Sequence, residues 1–424
     1  MRDIPDFLYK LFSSAVQAAH PKLTLEPYLP KDRSGNAIVI GAGKAAAAMA
    51  QAFEQAWQGP ITGVVVTRYG HSENCQHIKV VEASHPVPDG AGQDAAREIL
   101  NLVSQLSADD NVFFLLSGGG SSLLSLPAPG IDLEQKKVIN KALLRCGAAI
   151  DEINCVRKHL SLIKGGRLAM ACRPARLFTY AISDVPGDDP SVIASGPSVA
   201  DPTTSAQALA ILEKYNIKLD GNVQEWLLNP ASETAKETDL PIDSTHYQLI
   251  ATPKQSLQAA ADYARACGVT PLVLGDNIEG EAREVAKVMA GIAQYVQSNN
   301  DPVACPCVIL SGGETTVTLK GSGRGGRNAE FLLALANCLQ GQAGIYALAA
   351  DTDGIDGSED NAGALLTPDT AAKAKAKGVD MEGMLNNNDG YGFFNALQSL
   401  LITGPTRTNV NDFRAIYIEP PTSR

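Results

Sequence analysis

At 424 residues the chain is too long for one ordinary hydrophobic core, and at about 150 residues per domain it divides into two or three units. Its 46 acidic residues against 35 basic ones give a net charge of −11, which leaves no surplus of Lys and Arg for a nucleic-acid or anionic-membrane partner. The hydrophobic fraction of 45% is that of a soluble globular protein, and a small anionic substrate remains open because it needs only a few local cations.

The N-terminal stretch has no basic segment leading into an apolar one. Phe7, Leu8, Leu11, Phe12, Ala15 and Val16 instead mark one face of an amphipathic helix. No run reaches the roughly 18 apolar residues of a membrane span. The eight cysteines are scattered without a CxxC pair, and none of the six histidines stands three or four residues from another. Reduced thiols, no zinc site and a cytoplasmic location are the expectation.

Short apolar runs then recur between helix-patterned segments, from Ala37–Ile40, Val64–Val66, Val112–Leu116 and Leu177–Ile182 to Gln248–Ala251, Leu272–Leu274, Cys307–Leu310, Ile345–Ala350 and Ala415–Ile418. Runs without alternation are strands covered on both faces, so the fold class is α/β with mostly parallel sheets. The polar segment 216–244 reads as a boundary, and the chain is divided into domains 1–240 and 241–424.

In chain order, the first chemical motif is "AIVIGAGKAAAAMA". A strand meets Gly41-Ala42-Gly43-Lys44 and a helix follows at once, so free N–H groups and a cation stand together. The dinucleotide fingerprint GxGxxG is incomplete, because position 46 is Ala. The loop "SHPVPDG" brings His85, which is as readily structural as functional. "LLSGGGSSLL" ends a strand on Ser117, Gly118, Gly119, Gly120, Ser121 and Ser122, a turn rich in donors that suits an anion. "VRKHLSLIKGGRLA" gathers Arg157, Lys158, Lys164 and Arg167, of which Lys164 and Arg167 are the best source of charge for an anionic substrate.

"SDVPGDDP" places Asp184, Asp188 and Asp189 just past a strand, where a general base or a hard cation is usually held. "SGGETTVTLKGSGRGGRNAE" supplies a second Ser311-Gly312-Gly313 turn with Glu314, then Arg324 and Arg327 in a glycine loop, a guanidinium clamp for phosphate. "ADTDGIDG" closes the set with Asp351, Asp353 and Asp356; an EF-hand is excluded because position 362 is Ala. These parts suit phosphoryl transfer, which is mostly positioning and charge stabilisation, yet no GxxxxGK[ST], HRD or DFG motif is present. From the residues alone the chain is an α/β enzyme handling a phosphorylated or anionic small molecule.

These motifs together, in this order from about Gly41 to the C-terminus, resemble the bacterial glycerate 2-kinase family, the class II glycerate kinases with a C-terminal MOFRL domain. The resemblance implies a Rossmann-like N-terminal domain, a MOFRL-type C-terminal domain and an active site in the cleft between them. It implies ATP-dependent phosphorylation of D-glycerate to 2-phospho-D-glycerate with Mg²⁺, by a monomer or homodimer. It puts the essential lysine on Lys44 and the essential arginine on Arg327, with Arg324 second. On this reading Lys44 and Arg327 neutralise the phosphoryl group in flight, and Asp189 or Asp184 is base or metal ligand. Glu314 and Asp353 support the metal, and Lys164, Arg167 and His85 meet the substrate. Gly41, Gly43, Ser117–Ser122 and Ser311–Gly313 would cradle nucleotide phosphates. Members of the family have carried the name hydroxypyruvate reductase, so an NAD(P)H-dependent reductase is the enzymatic rival. A non-catalytic sensor of sugar acids or nucleotides is the rival from another class.

Overall fold

The computed structural model describes residues 3–240 and 245–420, and the chain falls into two compact units. One runs from Pro21 to Ile250, and the other joins the segment ending at His20 to everything from Ala251 onward. The boundary drawn from the sequence at 240/241 borders residues 241–244, which lie outside the described ones. Residues 216–240 are not a linker: helix Gly221–Leu228 buries Val223 and Leu227 within the first unit.

The first unit is built on strands β1 (Ala37–Ala42), β2 (Ile61–Arg68), β3 (Ile78–Ala83), β4 (Asn111–Leu116), β5 (Arg176–Ile182) and β6 (Thr245–Ala251), in the order β3-β2-β1-β4-β5-β6. All pairs among β1 to β5 are parallel. Parallel strands need crossovers, and helices such as Ala46–Ala56 and Gly90–Val103 supply them. Alanines at 46, 47, 48 and 50 let the first of these lie close to the sheet. Phe53 and Trp57 extend a tier of rings over Phe113 and Phe178, with centroids 4.9 to 5.3 Å apart. Four helices, Leu133–Arg145, Ile150–His159, Ser205–Lys214 and Gly221–Leu228, share a separate core of Ile139, Leu143, Ile153, Val156, Leu212 and Leu227.

The second unit contains β7 (Thr270–Gly275), β8 (Gly280–Glu281), β9 (Cys307–Gly313), β10 (Thr315–Thr316), β11 (Ile345–Asp351), β12 (Gly363–Leu366), β13 (Leu400–Leu401) and β14 (Asp412–Ile418). Its main sheet runs β13-β12-β11-β14-β9-β7, and here the expectation of mostly parallel strands is corrected. Only β7 and β9 pair in parallel; the other four pairs are antiparallel. The link 352–362 between the neighbouring strands β11 and β12 contains no helix, so the chain turns straight back there, while β14 enters between β11 and β9 after the chain leaves the edge strand β13. The N-terminal helix Ile4–Ala18 packs in this unit, with Phe7, Leu8, Leu11 and Phe12 buried among Leu257, Ala261, Phe413 and Tyr417. At about 1.5–3 kcal/mol for each large apolar side chain, that face holds the helix against a sheet nearly four hundred residues away in the chain. No helix of the described residues is long and apolar enough to cross a membrane.

Candidate active site

In the first unit the strand order reverses between β1 and β4, whose last residues, Ala42 and Leu116, lie side by side. Open α/β sheets bind ligands in the crevice at such a reversal, beyond the carboxyl ends of the strands. The turn after β1 is locked there. Gly43 has φ +139°, and a Cβ on it would come within 2.1 Å of Ser117 Oγ, so no other residue fits. The Lys44 amide donates to the Gly118 carbonyl at 2.9 Å, and the Ala45 amide donates to Ser117 Oγ at 3.0 Å. Ser117 therefore fixes the lysine turn by accepting from the Ala45 amide.

Gly119 has φ +80°, and a Cβ there would lie 2.9 Å from His85 Cδ2 and 3.4 Å from Lys44 Cγ. The histidine ring and the lysine stem therefore lean on the glycine turn, and three motifs distant in sequence meet at one place. Burial, then the charges of Lys44 and Arg68 and the nearby His71, push His85 down to about 3, so it is a neutral imidazole at physiological pH. Gly41 stands one residue inside β1, where a Cβ would be 2.8 Å from the Leu115 carbonyl; its task is strand packing.

The rest of the Ser-Gly turn connects to the next cation. Gly120 opens the short helix Gly120–Leu123, and the Ser122 amide donates to the Gly119 carbonyl at 3.1 Å. Ser121 Oγ lies 2.9 Å from Ser195 Oγ. The Lys164 ammonium is buried against the same serine, donating to the Ser121 carbonyl at 2.8 Å and the Ala194 carbonyl at 3.2 Å. Arg167 goes elsewhere: its guanidinium donates to the Ala231 carbonyl at 3.1 Å and sits 6.0 Å from the Trp226 ring, which is a packing role. After β5, Asp184 is half-buried, while Asp189 is exposed and accepts from the Ser191 amide at 2.8 Å, closing its own turn.

In the second unit the constellation is of the opposite sign. Arg327 begins helix Arg327–Leu339 and donates to three carboxylates: Nε to Asp412 at 2.7 Å, and its two amino groups to Glu314 at 2.6 Å and Asp351 at 3.0 Å. Those carboxylates raise its proton affinity well above the ordinary value despite burial. Asp412 also takes Asn328 at 2.7 Å and the buried Arg414 at 2.6 Å. Asp356 accepts the Asn328 and Ala329 amides at 3.0 and 2.8 Å and so satisfies the helix start; complete burial pushes it up to about 7.

Two expectations are corrected here. Ser311, Gly312 and Gly313 are not a turn; they are the last residues of β9, paired with Arg414, Phe413 and Asp412 of β14, and are buried. Arg324 does not join Arg327: it is exposed, paired with Glu359 and stacked 4.5 Å over the Tyr391 ring. Among the described residues no three His, Cys, Asp or Glu side chains gather as a metal site. Asp353 uses Oδ1 to accept the Ile355 amide at 2.8 Å, and Glu314 is on Arg327.

The sequence reading missed Asp412, Ser195 and Lys136. Asp412 opens the apolar run of β14 as its one acid, a legible signal. Lys136 shares the buried face of its helix with Ile139 and Leu143, where the pattern calls for an apolar residue. Ser195 carries no such sign; its φ of +63° depends on the loop around it.

A domain family described as a domain of unknown function (DUF4147) matches residues 7–228, and the MOFRL family matches residues 307–412. A D-glycerate 2-kinase from Thermotoga maritima is 41% identical, with 96% of this chain and 98% of the relative covered. The chain belongs to the glycerate 2-kinase family. A solved structure of glycerate kinase from Thermotoga maritima superposes with a TM-score of 0.88 at 40% identity, covering 98% of this chain and 99% of that one. A protein of Agrobacterium vitis provisionally named hydroxypyruvate reductase is 51% identical over 97% of this chain and 94% of its own length. Within the glycerate 2-kinase family, then, two activity names coexist, and the chemistry of the crevice has to choose between them.

Proposed function

We propose that the protein transfers the terminal phosphoryl group of ATP to the 2-hydroxyl of D-glycerate, with Mg²⁺. The observation that carries this reading is the meeting of Lys44, His85 and the Gly118–Gly120 turn at the β1/β4 reversal. A cation and open backbone there suit a phosphoryl group, and the strand order β3-β2-β1-β4-β5-β6 is that of the Rossmann-like sheets that bind nucleotides. ATP is the phosphoryl donor, and bound Mg²⁺ would neutralise its phosphate oxygens. Lys44 meets the charge that develops in transfer. His85, neutral, accepts a hydrogen bond without adding charge. In a loose phosphoryl transition state little proton abstraction is required, and Asp184 or Asp189 takes the hydroxyl proton as it leaves.

Arg327 has a narrower role than a free clamp. Three of its N–H groups are held by Asp412, Glu314 and Asp351, so this group attracts a cation-bearing nucleotide better than a bare anion. Mg²⁺ keeps several waters and needs only one or two protein carboxylates beside phosphates, so the half-exposed Glu314 and the buried Asp353 would hold it without a dedicated cage.

The reductase reading has less support: the GxGxxG fingerprint is incomplete at Ala46, and burial with the charges of Lys44 and Arg68 keeps His85 neutral, so it is a poor proton donor to a keto acid. Purified protein given D-glycerate, ATP and Mg²⁺ is expected to release ADP in proportion to glycerate. Consumption of NADH with hydroxypyruvate and no ADP release would overturn the kinase.

A further inference from the structure

The first unit buries more positive charge than its internal contacts use. Lys136, on helix Leu133–Arg145, is only 8% exposed, and its Nζ has no hydrogen-bond partner. Lys164 is 1% exposed and its Nζ reaches carbonyl and hydroxyl oxygens only. Arg157, on helix Ile150–His159, donates Nε to Asn140 Oδ1 at 2.7 Å. Burial lowers the proton affinity of all three, the Arg157 charge lowers Lys136 further, the charges of Lys136 and Arg157 lower Lys164 further, and among the described residues no carboxylate figures beside Lys136 or Lys164 to oppose this. The neighbouring acid Asp201 is already taken by Lys158 at 3.1 Å and by Thr203. Burying an unpaired ammonium is costly, and a Met of the same length at 136 would pack more cheaply. A fold that keeps such a group is poised for an anion that arrives from outside.

We propose that Lys136, Arg157 and Lys164 form the subsite that holds the carboxylate of the hydroxy-acid acceptor. This rests on the glycerate reading and adds to it two residues from the helical layer, Lys136, which no motif singled out, and Arg157, to which its motif gave no role. The layer brings Lys136 and Arg157 toward Lys164, and Lys164 is tied through Ser121 to the Ser-Gly turn that Lys44 leans on. The acceptor thus lies with its carboxylate among three cations and its hydroxyl toward the phosphoryl site. An acceptor without a carboxylate gains nothing there, so glycerol is discriminated against at this point.

The test compares wild type with Lys136→Met and Lys136→Arg. Lys136→Met is expected to raise the KM for D-glycerate about tenfold or more, to leave the KM for ATP within about twofold, and to keep or raise the melting temperature. Lys136→Arg is expected to recover much of the lost affinity. An unchanged glycerate KM in Lys136→Met overturns the subsite, and a raised ATP KM with unchanged glycerate KM reassigns the cluster to a phosphate and overturns it equally. If Lys136→Met does not fold, Arg157→Met is read in the same way. Should wild type release no ADP with D-glycerate, the kinase reading fails by itself. Calorimetric titration of D-glycerate without nucleotide then decides the subsite: binding lost in Lys136→Met supports it, and equal or absent binding in both proteins overturns it.

Discussion

Two groups of buried charge occupy the two units, and they are solved in opposite ways. In the second unit Arg327 and Arg414 are neutralised by Asp412, Asp351 and Glu314 at hydrogen-bonding distance. In the first, Lys136, Arg157 and Lys164 lie together with no carboxylate of their own among the described residues, and His85 faces Lys44 and Arg68. A satisfied ion cluster explains itself as structure. An unsatisfied one either gives up its protons or holds an anion, and the proposed acceptor is such an anion. On the proposed reading the anionic substrate belongs to the first unit, and the acid-rich group shapes the second.

The comparison breaks first at Lys44. Lys44→Met is expected to lower turnover on the order of a hundredfold or more with an unchanged melting temperature, because the lysine meets charge that develops only in transfer. A loss of less than tenfold in a steady-state ADP assay would remove it from the site. Arg327→Ala tests the other side. It leaves three carboxylates facing one another, and a destabilisation of about 3–5 kcal/mol is expected by denaturant titration. If Arg327→Ala melts like wild type, the second cluster is not a structural knot.

The pH dependence sharpens the contrast. Burial and the Arg157 charge depress Lys136 to about 7, so its amine is protonated below that pH and neutral above it. An anion held by this amine is therefore lost as pH rises, and the KM for D-glycerate is expected to climb about tenfold between pH 7 and 9. A Lys136→Met variant is expected to flatten that climb.

Asp356 shows the reverse sign in the second unit. Its folded value is raised to about 7 from an ordinary 3.8, so its contribution to stability is complete below about 4 and is lost as pH rises through 7. The melting temperature of Asp356→Asn relative to wild type should therefore rise between pH 4 and 8; a constant difference would contradict the assignment. The smallest effect belongs to Arg324, an exposed pair partner of Glu359. Arg324→Ala should change stability by less than about 0.5 kcal/mol and turnover by less than about twofold.

The elements that the sequence made legible are those whose signal is local. The strand-turn-helix at 37–56 carries its glycines, its lysine and its alanine face in one stretch, and it folds as that stretch reads. What was not legible depends on partners far away in the chain. "SGG" at 117 follows the end of β4 and turns, whereas "SGG" at 311 continues β9, because only the second has β14 alongside to extend the ladder. The N-terminal helix showed its apolar face but not the sheet it packs on. The direction of the second sheet depends on which distant strands pair, with β14 set between β11 and β9, and a list of apolar runs does not record that. Arg167 and Lys164 look equivalent in "KGGR", yet the turn at Gly165 and Gly166, with φ of +59° and +76°, sends one to Ser121 and the other to Trp226.

The most direct measurement is proton-coupled phosphorus NMR of the product formed from D-glycerate, ATP and Mg²⁺. A phosphoryl group on the 2-oxygen couples to the single methine proton, so a new doublet beside the ADP signals is the predicted result. A triplet, from the 3-methylene, would show transfer to the wrong hydroxyl. An unchanged ATP spectrum with wild-type protein and D-glycerate would contradict the account at its centre.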